Sequence, residues 1–215
     1  MEVERARRGM VERQLRARGI ADARVLEAMA SVPRERFVPP GVRARAYSDR
    51  ALPIGAGQTV SQPWIVAAMI SLLDLDGSER VLEVGTGSGY AAAVLSRCTR
   101  EVVTVERRED LAGRSRDTLR ALGYHNVEVR HGDGSLGAPD AAPFGGILVA
   151  AAAARQPPPA LFEQRSPGAA LVCPVQGDDG EWLTLYRGSG PATKVVAVRF
   201  VPLVPGDPAG ANEEP

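Results

Sequence analysis

The chain has 215 residues, long enough to bury a full core and of a length that favours one domain. With 44% hydrophobic, 24% charged and 5% aromatic residues it has the composition of a globular protein, not a disordered or fibrous one. Lys+Arg and Asp+Glu both total 26, so no net field draws it to nucleic acid or to an anionic membrane, and neither is expected as a partner.

Residues 4 to 32 read as two helices, with Met10, Val11 and Leu15 on one face of the first and Val25, Leu26, Met29 and Val32 on the second. Gly19 reads as a helix stop and Asp22 as an N-cap. Arginines crowd this end of the chain, Arg5, Arg8, Arg13 and Arg16 among them, and read first as solvated helix faces. Pro33, Pro39, Pro40 and Gly41 break the pattern, and residues 33 to 62 carry loop signals throughout. A loop of that length in a compact domain is usually functional.

From residue 63 helices and strands alternate. A helix (PWIVAAMISLL) leads to a buried strand (RVLEV), a glycine-rich turn, a helix (YAAAVLSRC) and a strand (EVVTVE). A charged helix from Asp110 to Leu122 follows, then strands VEVRH and GGILVA, a short helix from Pro159 to Gln164, and a strand AALVCPV. This alternation implies a parallel sheet covered on both faces. WLTLYR and KVVAVRFVPLV, separated by a short turn segment, read as an antiparallel hairpin closing the sheet edge. The chain thus divides into N-terminal helices with an active-site loop (1–62), an α/β core (63–205) and a polar tail (206–215) read as disordered. Cys98 and Cys173 sit in apolar stretches and read as buried free thiols of a reducing compartment. No apolar run approaches the roughly 20 residues needed to cross a bilayer, and the N-terminus is charged where a signal peptide is apolar. The expectation is a cytoplasmic monomer.

The sharpest local signal is the strand-to-helix stretch from Val81 to Tyr90 (VLEVGTGSGY), in which Gly85, Gly87 and Gly89 let backbone turn close to a ligand. Its G-x-G-x-G spacing ends one residue earlier than the G-x-G-x-x-G of dinucleotide enzymes. The next strand ends at Glu106, at the separation from which a carboxylate reaches the ribose hydroxyls of an adenosine ligand. Asp133 and Gly134 follow the third strand, where an adenine could be held. Singly, Glu106 also reads as a helix-starting acid and Asp133 as a turn residue. Together, at the carboxyl ends of adjacent strands, they favour an adenosine-containing cofactor, S-adenosylmethionine ahead of a nicotinamide dinucleotide.

The stretch from Asp49 to Pro63 (DRALPIGAGQTVSQP) resembles the signature loop of the protein-L-isoaspartate (D-aspartate) O-methyltransferase family, and VPRERFVP, VLEVGTGSGY, TVER, GDG and CPV fall in that family's order. The likeness covers roughly residues 10 to 204. It implies a Rossmann-like S-adenosylmethionine-dependent methyltransferase fold, mostly parallel with helices on both faces and an antiparallel edge hairpin, plus N-terminal helices. It also implies methyl transfer to the side-chain carboxylate of isoaspartyl residues in damaged proteins or peptides, whose ester then closes to a succinimide without the enzyme. Residue by residue, it places Ser61 at the catalytic position and Gln58, Thr59 and Val60 beside the substrate. It assigns the cofactor to Gln62, Pro63, Glu83, Gly85, Thr86, Gly87, Ser88, Glu106, Arg107, Asp133 and Gly134, with no metal.

The chemistry agrees, because a carboxylate with an ordinary pKa of about 4 is already ionised at neutral pH and needs no general base. His125 and His131 lie outside the motifs and read as a helix-end and a strand-end residue. Ser-Gln-Pro also reads as an N-cap followed by proline in the first helical turn. Gly145, Ala150 and Gln176 depart from the family pattern, at strand ends expected to face the site, and Trp64 is a lesser change. These departures bear on the acceptor more than on the methyl donor. They leave room for a related O-methyltransferase acting on an aspartate or isoaspartate of a dedicated natural-product precursor peptide. A non-catalytic peptide-binding module and a nicotinamide-dependent reductase are the remaining readings.

Overall fold

Five β-branched-rich segments dictate the centre of the molecule. In the computed structural model, which describes residues 2–206, β3 (Arg80–Val84), β4 (Glu101–Glu106), β5 (Val127–His131), β6 (Phe144–Val149) and β7 (Arg165–Gly177) form the parallel part of one sheet. Among the described residues that sheet has seven strands in the order β5-β4-β3-β6-β7-β8-β9, where β8 is Gly180–Arg187 and β9 is Thr193–Ala197. Runs such as Val102 to Val105 are buried on both sides, as strands covered by helices on both faces must be. β8 and β9 are antiparallel, so the edge hairpin forms as expected.

The second half of KVVAVRFVPLV does not continue the strand. β9 stops at Ala197; the Glu181 carboxylate accepts the Phe200 amide at 2.6 Å, and Pro202 has no amide to give a ladder. The chain instead returns across the carboxyl ends of the parallel strands, where the Ala152 amide donates to the Val201 carbonyl and the Leu203 amide to the Ala152 carbonyl. Gly206 is the last described residue, so the tail expected to be disordered lies almost wholly outside the described residues.

At the other end, α1 (Glu2–Met10) runs through a π-helical turn (Val11–Leu15) and a 3-10 turn that stops at Gly19, with φ of 89°. The Asp22 side chain caps α2 (Ala23–Ser31) by accepting the Val25 amide. Met10, Leu15, Leu26 and Met29 join the same buried core as α3 (Pro63–Ser71) and α4 (Tyr90–Leu95). The long loop is more ordered than its sequence reads. It holds two 3-10 segments and a small hairpin, β1 (Leu52–Gly55) with β2 (Gln58–Val60), whose Leu52, Ile54 and Val60 turn into the core. α5 (Glu109–Ala121) and α6 (Pro159–Glu163) complete the helices. Both cysteines are buried and unpaired, and burial pushes both thiols up to about 12, which suits inert core residues. Among the described residues no helix is long and apolar enough to cross a membrane.

Candidate active site

One cavity of about 310 Å³ opens at the carboxyl ends of the parallel strands, within the size range of small-molecule sites. Gly85, Thr86, Gly87 and Ser88 form one wall, and Glu106, Arg107 and Gly134 continue it along the ends of β4 and β5. Gln58, Thr59, Val60 and Ser61 close it from the hairpin side. Segments far apart in sequence thus meet at one place.

The glycine loop is built by backbone geometry. Gly85, Gly87 and Gly89 have φ of 94°, 52° and 84°, a region that other residues enter only at a cost. Glu106 then holds the loop still: its Oε2 accepts the Gly87 amide at 2.8 Å and its Oε1 the Arg108 amide at 3.0 Å. Each oxygen keeps a lone pair, so a carboxylate at this strand end can still accept from ribose hydroxyls. The cradle therefore fits an adenosyl ligand: open backbone at the loop, an anchored acid beside it and Gly134 at the next strand end.

Four residues expected to touch the cofactor do not line the cavity. Glu83 is wholly buried inside the sheet. Its Oε2 accepts the Thr104 hydroxyl at 2.6 Å, and Thr104 in turn accepts from Thr86 at 2.6 Å, since its own proton is spent on Glu83. Glu83 Oε1 has no partner among the described residues, and burial, opposed by the Thr104 bond and aided by the charge of Glu106, pushes its pKa up to about 8. Asp133 shapes its turn: Oδ1 accepts the Ser135 amide and Oδ2 the Gly206 amide at 2.7 Å. Burial raises its pKa, but these amides outweigh that and hold it below the usual value. Gln62 and Pro63 sit just behind the wall, with Gln62 Nε2 donating to the Asp49 carbonyl at 3.3 Å and Pro63 starting α3.

The capping role of Ser61 is not observed. The N-cap of α3 is Gln62, with no side-chain cap bond, and the Ser61 hydroxyl makes no hydrogen bond among the described residues. It is free to meet a ligand. Gly145 is also corrected: it lies at the amino end of β6, away from the cavity, where a Cβ would come within 2.6 Å of Glu79 Cγ. Gln176 is exposed near the end of β7 and bonds Gly177. Of the three departures only Ala150 reaches the cavity, packed against Gly85. The sequence reading missed the strap of Val201, Pro202, Leu203 and Val204, which forms the cavity's outer wall, and Arg108 beside it. The Val204 carbonyl accepts from Arg107 Nη1 at 2.8 Å. Their one sequence signal was an apolar run with a proline inside it. Among the described residues no group of His, Cys, Asp and Glu could hold a metal ion.

A mostly parallel sheet with a glycine loop after β3 and an anchored acid ending β4 is the frame of an adenosine-cofactor enzyme, and the relatives below make it an S-adenosylmethionine-dependent methyltransferase. A match to the family described as protein-L-isoaspartate(D-aspartate) O-methyltransferase spans residues 6–207. A protein-L-isoaspartate O-methyltransferase of Roseiflexus castenholzii is 51% identical over 209 residues, which are 96% of this chain and 95% of that one. A solved protein-L-isoaspartate O-methyltransferase covers 91% of this chain with a TM-score of 0.82 and 28% identity, and this chain spans 65% of its length. A Plasmodium falciparum structure described as such an enzyme in complex with S-adenosyl-L-homocysteine matches 92% of this chain and 98% of that one, with a TM-score of 0.79 and 24% identity. The chain belongs to the protein-L-isoaspartate (D-aspartate) O-methyltransferase family.

Proposed function

We propose that this chain moves the methyl group of S-adenosylmethionine to the side-chain carboxylate of L-isoaspartyl or D-aspartyl residues in proteins or peptides, and so initiates their repair. The observation that carries this reading is the shared cavity, in which the acceptor loop from Gln58 to Ser61 faces the glycine loop from Gly85 to Ser88.

Bound S-adenosylmethionine supplies an electrophilic methyl group on a sulfonium. Gly85, Thr86, Gly87 and Ser88 would hold it through the loop, Glu106 through the ribose hydroxyls and Gly134 at the adenine. Glu83, Asp133, Gln62 and Pro63 support that set from behind: Glu83 through Thr104 and Thr86, Asp133 through its turn, Gln62 through Asp49 and Pro63 at the start of α3; Arg107, on the wall itself, ties the strap to it through the Val204 carbonyl.

The acceptor carboxylate is ionised before it binds, so the chain's task is placement. The uncommitted Ser61 hydroxyl donates to one carboxylate oxygen and leaves the other to attack. Gln58, Thr59 and Val60 present peptide backbone and side chains along the same edge. The apolar strap and Ala150 keep water from the reacting atoms, which strengthens every polar contact inside. No histidine is required, and neither His125 nor His131 lines the cavity.

Labelled methyl transfer to an isoaspartyl peptide tests the assignment. A carboxyl methyl ester loses its label as methanol in mild base; label that survives base would mean a different acceptor atom and would contradict the proposal.

A further inference from the structure

One cation in the interior has no part in the chemistry above. Arg34, in the 3-10 segment after α2, has no exposed surface, and among the described residues the titratable groups that bear on it are Tyr90 and Tyr47, not a carboxylate. Burying a guanidinium without a counter-ion is costly, so its other contacts must compensate. Its Nε donates to the Ala46 carbonyl at 2.7 Å and its Nη2 to the Ser61 carbonyl at 2.7 Å. Its Cζ lies 4.6 Å from the centroid of the Tyr90 ring, and Nη1 has no hydrogen-bond partner among the described residues.

Those contacts share a geometry. Ala46 ends the second 3-10 segment (Pro40–Arg45) and Ser61 follows the β1–β2 hairpin, so one planar group clasps the chain on both sides of that hairpin. Tyr90 is the first residue of α4, directly after Gly89, and its ring also meets Phe37 in an edge-on contact at 5.8 Å. Arg34 therefore links the loop that carries Ser61 to the helix that follows the glycine loop. It does not line the cavity. We propose that Arg34 is a positioning residue for methyl transfer: it sets the distance between Ser61 and the donor loop through the Ser61 carbonyl. This rests on the reading of Ser61 given above. Lysine cannot substitute, because a point charge on a flexible stem does not fork between two carbonyls while lying over the ring.

The test compares Arg34→Met, Arg34→Lys, Ser61→Ala and the Arg34→Met/Ser61→Ala double variant with wild type. Circular dichroism and S-adenosylhomocysteine affinity are read beside kcat and KM for an isoaspartyl peptide. The expected result is folded Arg34 variants with cofactor affinity kept within about threefold and kcat lower by about 100-fold, the scale of a misplacement of about 1 Å. The double variant then loses little beyond either single one, because both act on the same contact. A folded Arg34→Met or Arg34→Lys with wild-type kcat overturns the proposal. So do fully additive losses, or failure of both Arg34 variants to fold, since either assigns Arg34 to the fold at large. A Ser61→Ala variant with wild-type kcat shows instead that the reading of Ser61 itself is wrong.

Discussion

Replacing Glu106 by glutamine tests whether the donor loop is held by a carboxylate in particular. Glu106 is 7% exposed and uses both oxygens as acceptors, one for the Gly87 amide at 2.8 Å and one for the Arg108 amide at 3.0 Å. Glutamine offers a single oxygen, so either orientation sets an NH2 group against a backbone N–H. One charge-assisted bond is lost and one amide is left unsatisfied, at a cost of about 2 kcal/mol. Where that cost falls on Gly87, the loop is no longer preorganised for the cofactor, and about 2 kcal/mol corresponds to an affinity loss of about 30-fold. The same cost lowers Tm by about 4–8 °C for a chain of this size. Isothermal titration with S-adenosylhomocysteine reads the first quantity and calorimetry the second. Affinity within about threefold of wild type, with Tm unchanged, would refute the assignment of Glu106 as the anchor of the loop, because a hydrogen bond to a charged group is worth more than that.

Glu83 gives a pH prediction. Its folded pKa of about 8 lies above the ordinary carboxyl value, so the folded chain binds a proton there that the unfolded chain releases. Stability must then fall as pH rises from about 4.5 towards 8, and Glu83→Gln, which is neutral throughout, should flatten that slope and raise Tm at pH 8. Parallel slopes in the two proteins would show that the group is not buried as described. Gly145→Asp forces a Cβ within 2.6 Å of Glu79 and should cost about 1–3 kcal/mol of stability. Its site is remote from the cavity, so S-adenosylhomocysteine affinity should be unchanged; a change would reconnect Gly145 to the site. Ala150→Asp, at the wall against Gly85, should do the reverse and abolish cofactor binding in a protein that still folds, as titration would show.

The glycine loop and acid of the proposed donor site were legible because their signals are local. A strand, three spaced glycines and an acid ending the next strand need only sequence separation and the parallel arrangement to converge, and Gly85, Gly87 and Glu106 do converge. Glu83 was misplaced because it stands inside the motif but points into the sheet, where alternation along β3 decides its direction. Asp133 keeps its position, but its carboxylate is spent on its own turn and on Gly206, a residue distant in sequence. The hairpin within the long loop escaped because Pro53 and the glycines mask strands whose inward residues, Leu52, Ile54 and Val60, are held by tertiary packing. The strap was read as strand because apolar residues continue through it, and only the side chain of Glu181 and the missing amide of Pro202 take it out of the ladder. Gly145 was assigned to the wrong end of β6, since spacing within a motif does not say which strand end faces a ligand.

The most direct measurement compares two synthetic peptides, identical except that one carries isoaspartate where its twin carries aspartate, as methyl acceptors from labelled S-adenosylmethionine. Base-labile label is expected on the isoaspartyl peptide, none above background on the aspartyl twin, and loss of labelling in a Ser61→Ala protein that still binds S-adenosylhomocysteine. Equal labelling of both peptides, or of neither by a protein that binds the cofactor, would contradict the proposed function.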